Sequence, residues 1–136
     1  MENLIILGTQ DSGPAHYLIT LDEFIGNSFW VLSPHVEYLL KGKPSIPHSE
    51  LNIASLIVTG TSLGNSLDKK LLTVANKNNI PSISIIEHWS WYRKRFELDR
   101  KMVLPDHIVV NDDYARSQAI NDGLPAGKIF VGGNPY

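Results

Sequence analysis

The chain has 136 residues and a mass of 15.2 kDa, which is the size of one domain with a single core. Hydrophobic residues make up 43% and charged residues 19%, a composition that excludes an intrinsically disordered chain. The formal net charge of −2 argues against a nucleic-acid binder with a generally basic surface, and the absence of cysteine excludes a disulfide scaffold.

The apolar runs and the first residues bear on cellular location. No apolar run approaches the ~18 residues that span a bilayer, and the start Met1-Glu2-Asn3 lacks the basic region of a signal peptide. Because a chain without cysteine suits a reducing compartment, we expect a soluble, cytoplasmic protein with at most peripheral membrane association.

Short apolar runs, bounded by Gly, Pro, Asn or Asp, are predicted to form buried strands. They lie at residues 4–7, 29–32, 55–58, 82–86, 107–110 and 129–131. None has the internal alternation of a half-exposed strand, so we expect parallel strands covered on both faces.

Segments with helical period lie between these runs. The first begins at Gly13-Pro14 and ends at Gly26; the second has Asn65 as its expected N-cap; the third runs from Asp112 to about Gly123. The apolar face predicted for the first helix comprises Tyr17, Leu18, Leu21, Phe24 and Ile25. Residues 41–54 lack a period and are predicted to form a loop with a short helical turn.

Alternating strands and helices predict one α/β domain over residues 1–136, a three-layer, Rossmann-like fold with a mostly parallel sheet of about six strands and helices on both faces. With one crossover before the chain returns to the middle of the sheet, the strand order is 2-1-3-4-5-6. The switch point then lies between the first and third strands, where open α/β sheets bind ligands.

Two polar loops follow the first and third strands and are each aimed at a helix N-terminus, where free backbone N–H groups favour an anion. Neither is a dinucleotide-binding or P-loop motif. The alternative is ordinary capping of a strand-to-helix turn. The candidate ligand-binding residues are Gly8, Thr9, Asp11, Ser12 and Gly13 in the first loop, and Thr59, Gly60, Thr61 and Ser62 in the second.

The segment after the fourth strand concentrates positive charge and aromatic rings. Five of the 12 cationic residues fall within residues 93–101, next to Trp89 and Trp91. Arg93 and Arg95, with these indoles, are predicted to hold an anionic acceptor such as a phosphorylated sugar or lipid. The alternative is an amphipathic helix whose aromatic side chains pack on the sheet while the cations are solvated.

Glu87, His88 and His16 are the candidate catalytic residues. A histidine near a carboxylate can titrate near neutrality and act as a general acid or base. Because adjacent residues at a strand end point to opposite sides, at most one of Glu87 and His88 is expected to face the crevice. His16 lies on the first helix and is a second candidate to face a ligand. No metal-ligand spacing and no cofactor motif is present in the sequence.

Four stretches together resemble the N-terminal half of GT-B glycosyltransferases and their relatives, the lipid II N-acetylglucosaminyltransferase and the non-hydrolysing UDP-N-acetylglucosamine 2-epimerases. They are residues 56–62, residues 79–88 with Asn79-Ile80-Pro81 leading to Glu87-His88, residues 104–111, and the closing residues 131–135 with Gly133-Asn134-Pro135. In that family a similar strand ends in a polar His/Glu motif, and a G-N-P motif marks the exit to the second domain.

The sequence also departs from those relatives. The transferase motif His-Glu-Gln-Asn appears as Glu87-His88-Trp89-Ser90, the glycine-rich first loop is residues 8–13 with His16 slightly later, and the epimerase motifs are absent. The chain ends at Tyr136, where the family crosses into its nucleotide-binding half.

The resemblance implies an acceptor-binding half of a glycosyltransferase of glycan or polysaccharide biosynthesis. It implies a sugar or phosphorylated acceptor as partner, and a C-terminal domain or separate subunit that binds the nucleotide sugar. The isolated chain is expected to be inactive. The alternative is a non-catalytic α/β module that binds a sugar or phosphate. A third hypothesis is a small flavodoxin-like enzyme, for which no cofactor motif is present.

Overall fold

A computed structural model describes residues 3–133. In that range the strands are β1 (Ile5–Gly8), β2 (Ser28–Val31), β3 (Leu56–Thr59), β4 (Ser82–Ile86), β5 (Glu97–Leu98), β6 (Lys101–Met102), β7 (His107–Val110) and β8 (Ile129–Val131). The α-helices are α1 (Ser12–Ile25), α2 (Leu67–Lys77) and α3 (Asp113–Asn121), and 3-10 helices form at Glu37–Leu39, His48–Ile53, Lys94–Phe96 and Ala126–Lys128.

The main sheet has the order β2-β1-β3-β4-β7-β8, and each neighbouring pair is parallel. The predicted order is therefore confirmed, with β7 and β8 as the fifth and sixth predicted strands. The register places Ile6 between Phe29 and Ile57. The carboxyl ends of β1, β3, β4 and β7 meet at one edge, and the switch point lies between β1 and β3.

Helices cover both faces of the sheet. α1 contributes Ala15, Tyr17 and Leu18 to a core cluster that includes Leu7 of β1. The preceding strand residue, Ile6, belongs to a cluster with α2, and α3 packs with β7 and β8 in a third. Because successive strand residues point to opposite faces, α1 lies on one side and α2 and α3 on the other. The three-layer α/β architecture is confirmed.

The predicted apolar face of α1 is wrong at Phe24, which is exposed. The helix buries Pro14, Ala15, Tyr17, Leu18 and Asp22. Phe24 lies in the last turn of α1, after Asp22, the last buried residue of the helix. Asp22 is buried because it accepts hydrogen bonds from Ser28 and Trp30.

Helix ends differ from prediction by one or two residues. Ser66, and not Asn65, caps α2, since its Oγ accepts from the backbone N of Lys69 at 3.4 Å. Pro14 is the third helical residue of α1, which starts at Ser12. The predicted stop at Gly26 is confirmed: this residue has φ 73°, a left-handed conformation that glycine adopts without strain.

The two long connections have different structures. Residues 41–54 form a loop with the 3-10 helix His48–Ile53, as predicted, and bury Leu51 beside α2. The connection from β4 to β7 contains no α-helix; it carries the β5–β6 hairpin, which the sequence did not predict, and buries Tyr92 and Phe96 between α2 and α3.

In the described range no helix is long and apolar enough to cross a membrane. The predicted exit motif at Asn134-Pro135 lies outside the described residues. Before it, the carbonyl of Gly133 accepts a 2.8 Å hydrogen bond from the hydroxyl of Tyr17, so Gly133 lies against α1.

Candidate functional site

The loops after β1 and β3 are neighbours at the carboxyl edge, and they are hydrogen-bonded to each other. The hydroxyl of Thr9 donates to Asp68 Oδ2 at 2.6 Å, and the backbone N of Gln10 donates to Asp68 Oδ1 at 2.9 Å. The backbone N of Asp11 donates to Ser62 Oγ at 3.1 Å. We call these two loops with Asp68 the β1–β3 junction.

The N-terminus of α2, predicted as an anion site, has partners within this junction. The backbone N of Leu67 donates to Gln10 Oε1 at 3.1 Å, and that of Lys69 donates to Ser66 Oγ. The Asp68 carboxylate is also almost completely buried at this helix end. Burial raises the pKa of Asp68, and the hydrogen bonds from Thr9 and Gln10 partly oppose the rise.

Several predicted binding residues are buried by close packing in this junction. A Cβ on Gly60 would lie 2.3 Å from Pro14 Cβ, so only glycine fits between α1 and β3. Thr59 shares a 2.7 Å hydrogen bond with Ser84, and Thr61 donates to the carbonyl of Ile85. The binding roles of Gly8, Thr9, Thr59, Gly60, Thr61 and Ser62 stay predictions.

Glu87 and His88 follow β4 and contact each other. Glu87 Oε1 lies 2.7 Å from His88 Nε2; the Glu87 side chain is 8% exposed and that of His88 53%. The expectation that the two side chains point to opposite sides is wrong. β4 ends at Ile86, so both residues lie in a bend where the alternation of a strand no longer applies.

The Glu87 carboxylate also lies against the first turn of α1. A Cβ on Gly13 would lie 3.1 Å from Glu87 Oε1, and Asp11 at the N-cap position makes no side-chain capping bond. The helix N-terminus favours a negative charge at this position. The Nδ2 of Asn111, at the end of β7, donates to the Glu87 carbonyl at 2.9 Å and fixes the bend.

Burial raises the pKa of Glu87, while His88 and Arg95 oppose the rise and Asp11 adds to it. A buried carboxylate in contact with a half-exposed imidazole is an arrangement that general acid–base catalysis uses. We call Glu87 and His88 the Glu87–His88 pair.

Trp89 and Trp91 are half-exposed, at 51% and 58%. The indole N–H of Trp89 donates to Asp112 Oδ2 at 3.0 Å, while Asp112 Oδ1 caps α3 by accepting from the backbone N of Ala115. The ammonium of Lys94 lies 4.7 Å from the centre of the Trp91 ring, a cation–π contact.

The two arginines predicted to bind an anion have different environments. Arg95 is 6% exposed; it donates to the carbonyls of Ser90 and Thr61 and so joins the loops after β4 and β3. Arg93 is exposed, with its Nε 3.3 Å from Glu97 Oε1. Burial lowers the pKa of Arg95, and Glu87 opposes this shift.

His16, Asp11 and Ser12 are exposed near the start of α1. Within residues 3–133 no hydrogen bond or ion pair links His16 to the Glu87–His88 pair, so its catalytic role stays a prediction. The same residues contain no group of three His, Asp or Glu side chains that could hold a metal ion.

The sequence did not single out Asp68 and Asn111 as residues of the site, although both make hydrogen bonds there. Asn111 follows a buried strand directly, which is the position where a polar residue reaches the carboxyl edge. Asp68 lies in the first turn of α2, where an acidic residue commonly interacts favourably with the helix dipole. Because this role explains its presence in the sequence, its contacts across the junction were not predicted.

No family model and no curated protein matches the chain. Among solved structures, HepE from Anabaena is similar, both in complex with UDP and in complex with UDP and glucose. Each match has a TM-score of 0.67 at 12% sequence identity and covers 98% of this chain and 44% of HepE. This likeness shows the α/β, Rossmann-like fold. The chain thus spans less than half the length of that protein.

Proposed function

We propose that the chain is the acceptor-binding, N-terminal-type domain of a GT-B-like glycosyltransferase. The observation that carries the proposal is the match of nearly the whole chain to under half of HepE, a protein whose structures hold UDP and glucose. The position of the Glu87–His88 pair, at the carboxyl edge where open α/β sheets bind ligands, supports it.

The pair supplies the base that glycosyl transfer needs. The acceptor hydroxyl gives its proton to His88, its oxygen forms a bond to the anomeric carbon of the donor sugar, and the bond to the nucleoside diphosphate breaks. His88 is the exposed member and contacts the acceptor. Glu87 is buried behind it and stabilises the imidazolium that forms.

The nucleotide sugar requires a second domain in this proposal, either a C-terminal continuation or a separate subunit. Coverage of 44% of HepE is what one domain of a two-domain enzyme gives. Because much of the rate comes from positioning both reactants, the isolated chain is inactive and binds nucleotide sugars weakly.

Two measurements on the isolated chain test whether donor binding and turnover need a second domain. They are calorimetry with UDP-, GDP- and CDP-sugars and a turnover assay. Donor affinity in the micromolar range, or turnover by the chain alone, would contradict that requirement. Activity obtained with a donor-binding domain or subunit, and lost in His88→Ala, would support the catalytic role. Restored activity that is unchanged in His88→Ala and Glu87→Gln would contradict the catalytic role of the pair, and no turnover with any donor-binding partner would favour the alternative, a non-catalytic binding module.

A further inference from the structure

A groove lies beside the loop after β4, between residues 89–94 and the end of α3. It has a volume of about 610 Å³, and Trp89 and Trp91 lie on its wall. Binding sites for small organic ligands have volumes of about 300–1,000 Å³. The groove is therefore large enough for one or more pyranose rings.

Both indoles are held in place before any ligand arrives. Trp89 is fixed by its hydrogen bond to Asp112, and Trp91 by the ammonium of Lys94 on its ring. Trp91 also has φ 59°, a left-handed conformation that is unfavourable for a bulky aromatic residue. Side chains that are ordered in advance lose little entropy on binding.

The remaining wall is rich in groups that hydrogen-bond to hydroxyls. Gln118 and Asn121 present carboxamides, each with donors and acceptors, and Ser90 adds a hydroxyl. Apolar C–H faces of a pyranose stack on an indole, while its equatorial hydroxyls need donors and acceptors at the ring edge. The groove offers both kinds of group.

The charges in the groove balance. Arg93 and Lys94 are opposed by Glu97 and Asp122, all four in the wall. Arg93 is paired with Glu97, and its backbone N donates to Asp122 Oδ2 at 2.8 Å. The buried Arg95 is not a lining residue. An anionic ligand would meet two carboxylates here, so the charge pattern suits a neutral ligand better than the phosphorylated one predicted from the sequence.

We infer that this groove binds a neutral oligosaccharide, with Trp89 and Trp91 stacking on its sugar rings. Trp89 is two residues from Glu87, so their Cα atoms are at most about 7.6 Å apart, and the groove begins beside the Glu87–His88 pair. The further statement that this oligosaccharide is the acceptor rests on the proposed function. In that case, the groove holds sugars of the acceptor that are remote from the reacting hydroxyl.

The test is an array of neutral and anionic glycans probed with the isolated chain, followed by calorimetry on the neutral glycan that binds best. We expect neutral glycans to bind, and Trp91→Ala to weaken that binding about tenfold or more. Tyr38→Ala, which removes an exposed aromatic ring elsewhere, is the matched control and leaves the affinity unchanged. Asn121→Ala provides a second groove variant if Trp91→Ala does not fold by circular dichroism.

Binding of no neutral glycan, a preference for anionic glycans or inorganic phosphate, or unchanged affinity in groove variants that fold would each overturn the inference. The variants Glu87→Gln and His88→Ala test the proposed catalytic function separately from glycan binding by the groove. If the groove binds glycans and these two variants leave restored turnover intact, the catalytic proposal fails and the groove stands.

Discussion

The β1–β3 junction and the loop after β4 lie at the same edge of the sheet and were both predicted to bind ligand, but they differ in how their polar groups are used. In the junction, Thr9 and Gln10 donate hydrogen bonds to the buried Asp68, and Ser62 accepts one from the backbone N of Asp11. After β4, His88, Trp89 and Trp91 are half-exposed.

The comparison shows that the polar groups of a Gly/Ser/Thr-rich turn at a switch point can be hydrogen-bonded within the protein, so that such a turn does not by itself identify a ligand site. A buried polar group must be hydrogen-bonded, and the partner can be another loop as easily as a ligand. Asp68 is that partner in the junction. Substitutions should separate the contribution of the junction to stability from that of the exposed groups beside it.

The largest effect is expected at Asp68. Asp68→Ala leaves the Thr9 hydroxyl and the Gln10 backbone N without their acceptor, so we expect a loss of about 3–4 kcal/mol in the free energy of unfolding, measured by urea denaturation. Asp11→Ala removes an exposed carboxylate from the same loop and should change stability by less than about 0.5 kcal/mol. Equal effects would show that the junction does not depend on Asp68.

Arg95→Met is expected to cost about 2–3 kcal/mol, since it removes two charge-assisted hydrogen bonds, one of them to the buried carbonyl of Thr61, while keeping most of the side-chain volume. Arg93→Met is the matched control; its ion pair with Glu97 is exposed, so the loss should stay below about 1 kcal/mol. If the two variants unfold at the same urea concentration, Arg95 does not join the loops as described.

The fold could be predicted because hydrophobic periodicity is a local signal. The strands at residues 82–86, 107–110 and 129–131 have the predicted bounds, and the parallel order followed from the alternation with helices. The N-cap of α2 was misplaced by one residue because Asn65 and Ser66 are both good capping residues, and the turn geometry chooses between them.

The environment of the site residues could not be predicted in the same way. Arg93 and Arg95 have the same chemistry two positions apart, but one is exposed and the other is buried against carbonyls of two loops. That choice depends on contacts between Arg95 and Thr61, residues far apart in sequence. The contact of Glu87 with His88 likewise depends on a bend that the local pattern does not specify.

A smaller effect on stability is expected at Glu87, where a substitution should stabilise the protein. Burial raises the pKa of this carboxyl above its ordinary value of 4.5, so the protonated form is favoured in the folded protein. That stability is fully present below pH 4.5 and is lost as pH rises through the raised pKa. We expect Glu87→Gln, which stays neutral, to be more stable than the wild type at pH 8, by less than about 1 kcal/mol after solvent screening.

The gain in Glu87→Gln should shrink as the pH falls. The wild-type carboxyl becomes protonated as the pH falls through its raised pKa, and the cost of burying its charge is then removed. Thermal unfolding between pH 4 and pH 8 measures the trend. Glu23→Gln removes an exposed carboxylate from α1 and should show no such trend. A Glu87→Gln advantage that is absent at pH 8 would show that the carboxylate is not destabilised by its burial.

Effects on stability as small as the one at Glu87 are expected at the two indoles, and their sign differs between Trp89 and Trp91. Trp91 has φ 59°, whereas Trp89 does not have a positive φ. Alanine retains the cost of the left-handed conformation and glycine does not, so Trp91→Gly should be more stable than Trp91→Ala by about 1 kcal/mol. At position 89 glycine only adds backbone entropy to the unfolded chain, so Trp89→Gly should be less stable than Trp89→Ala by about 0.5–1 kcal/mol.

Comparing glycine with alanine at each position cancels the loss of the indole itself, including the contact of Trp91 with Lys94. Urea denaturation of the four variants gives both differences. The same sign at both positions would show that the backbone of Trp91 is not strained. Opposite signs would mean that a large aromatic residue occupies a position where glycine is more stable, which is expected where a side chain serves binding rather than folding.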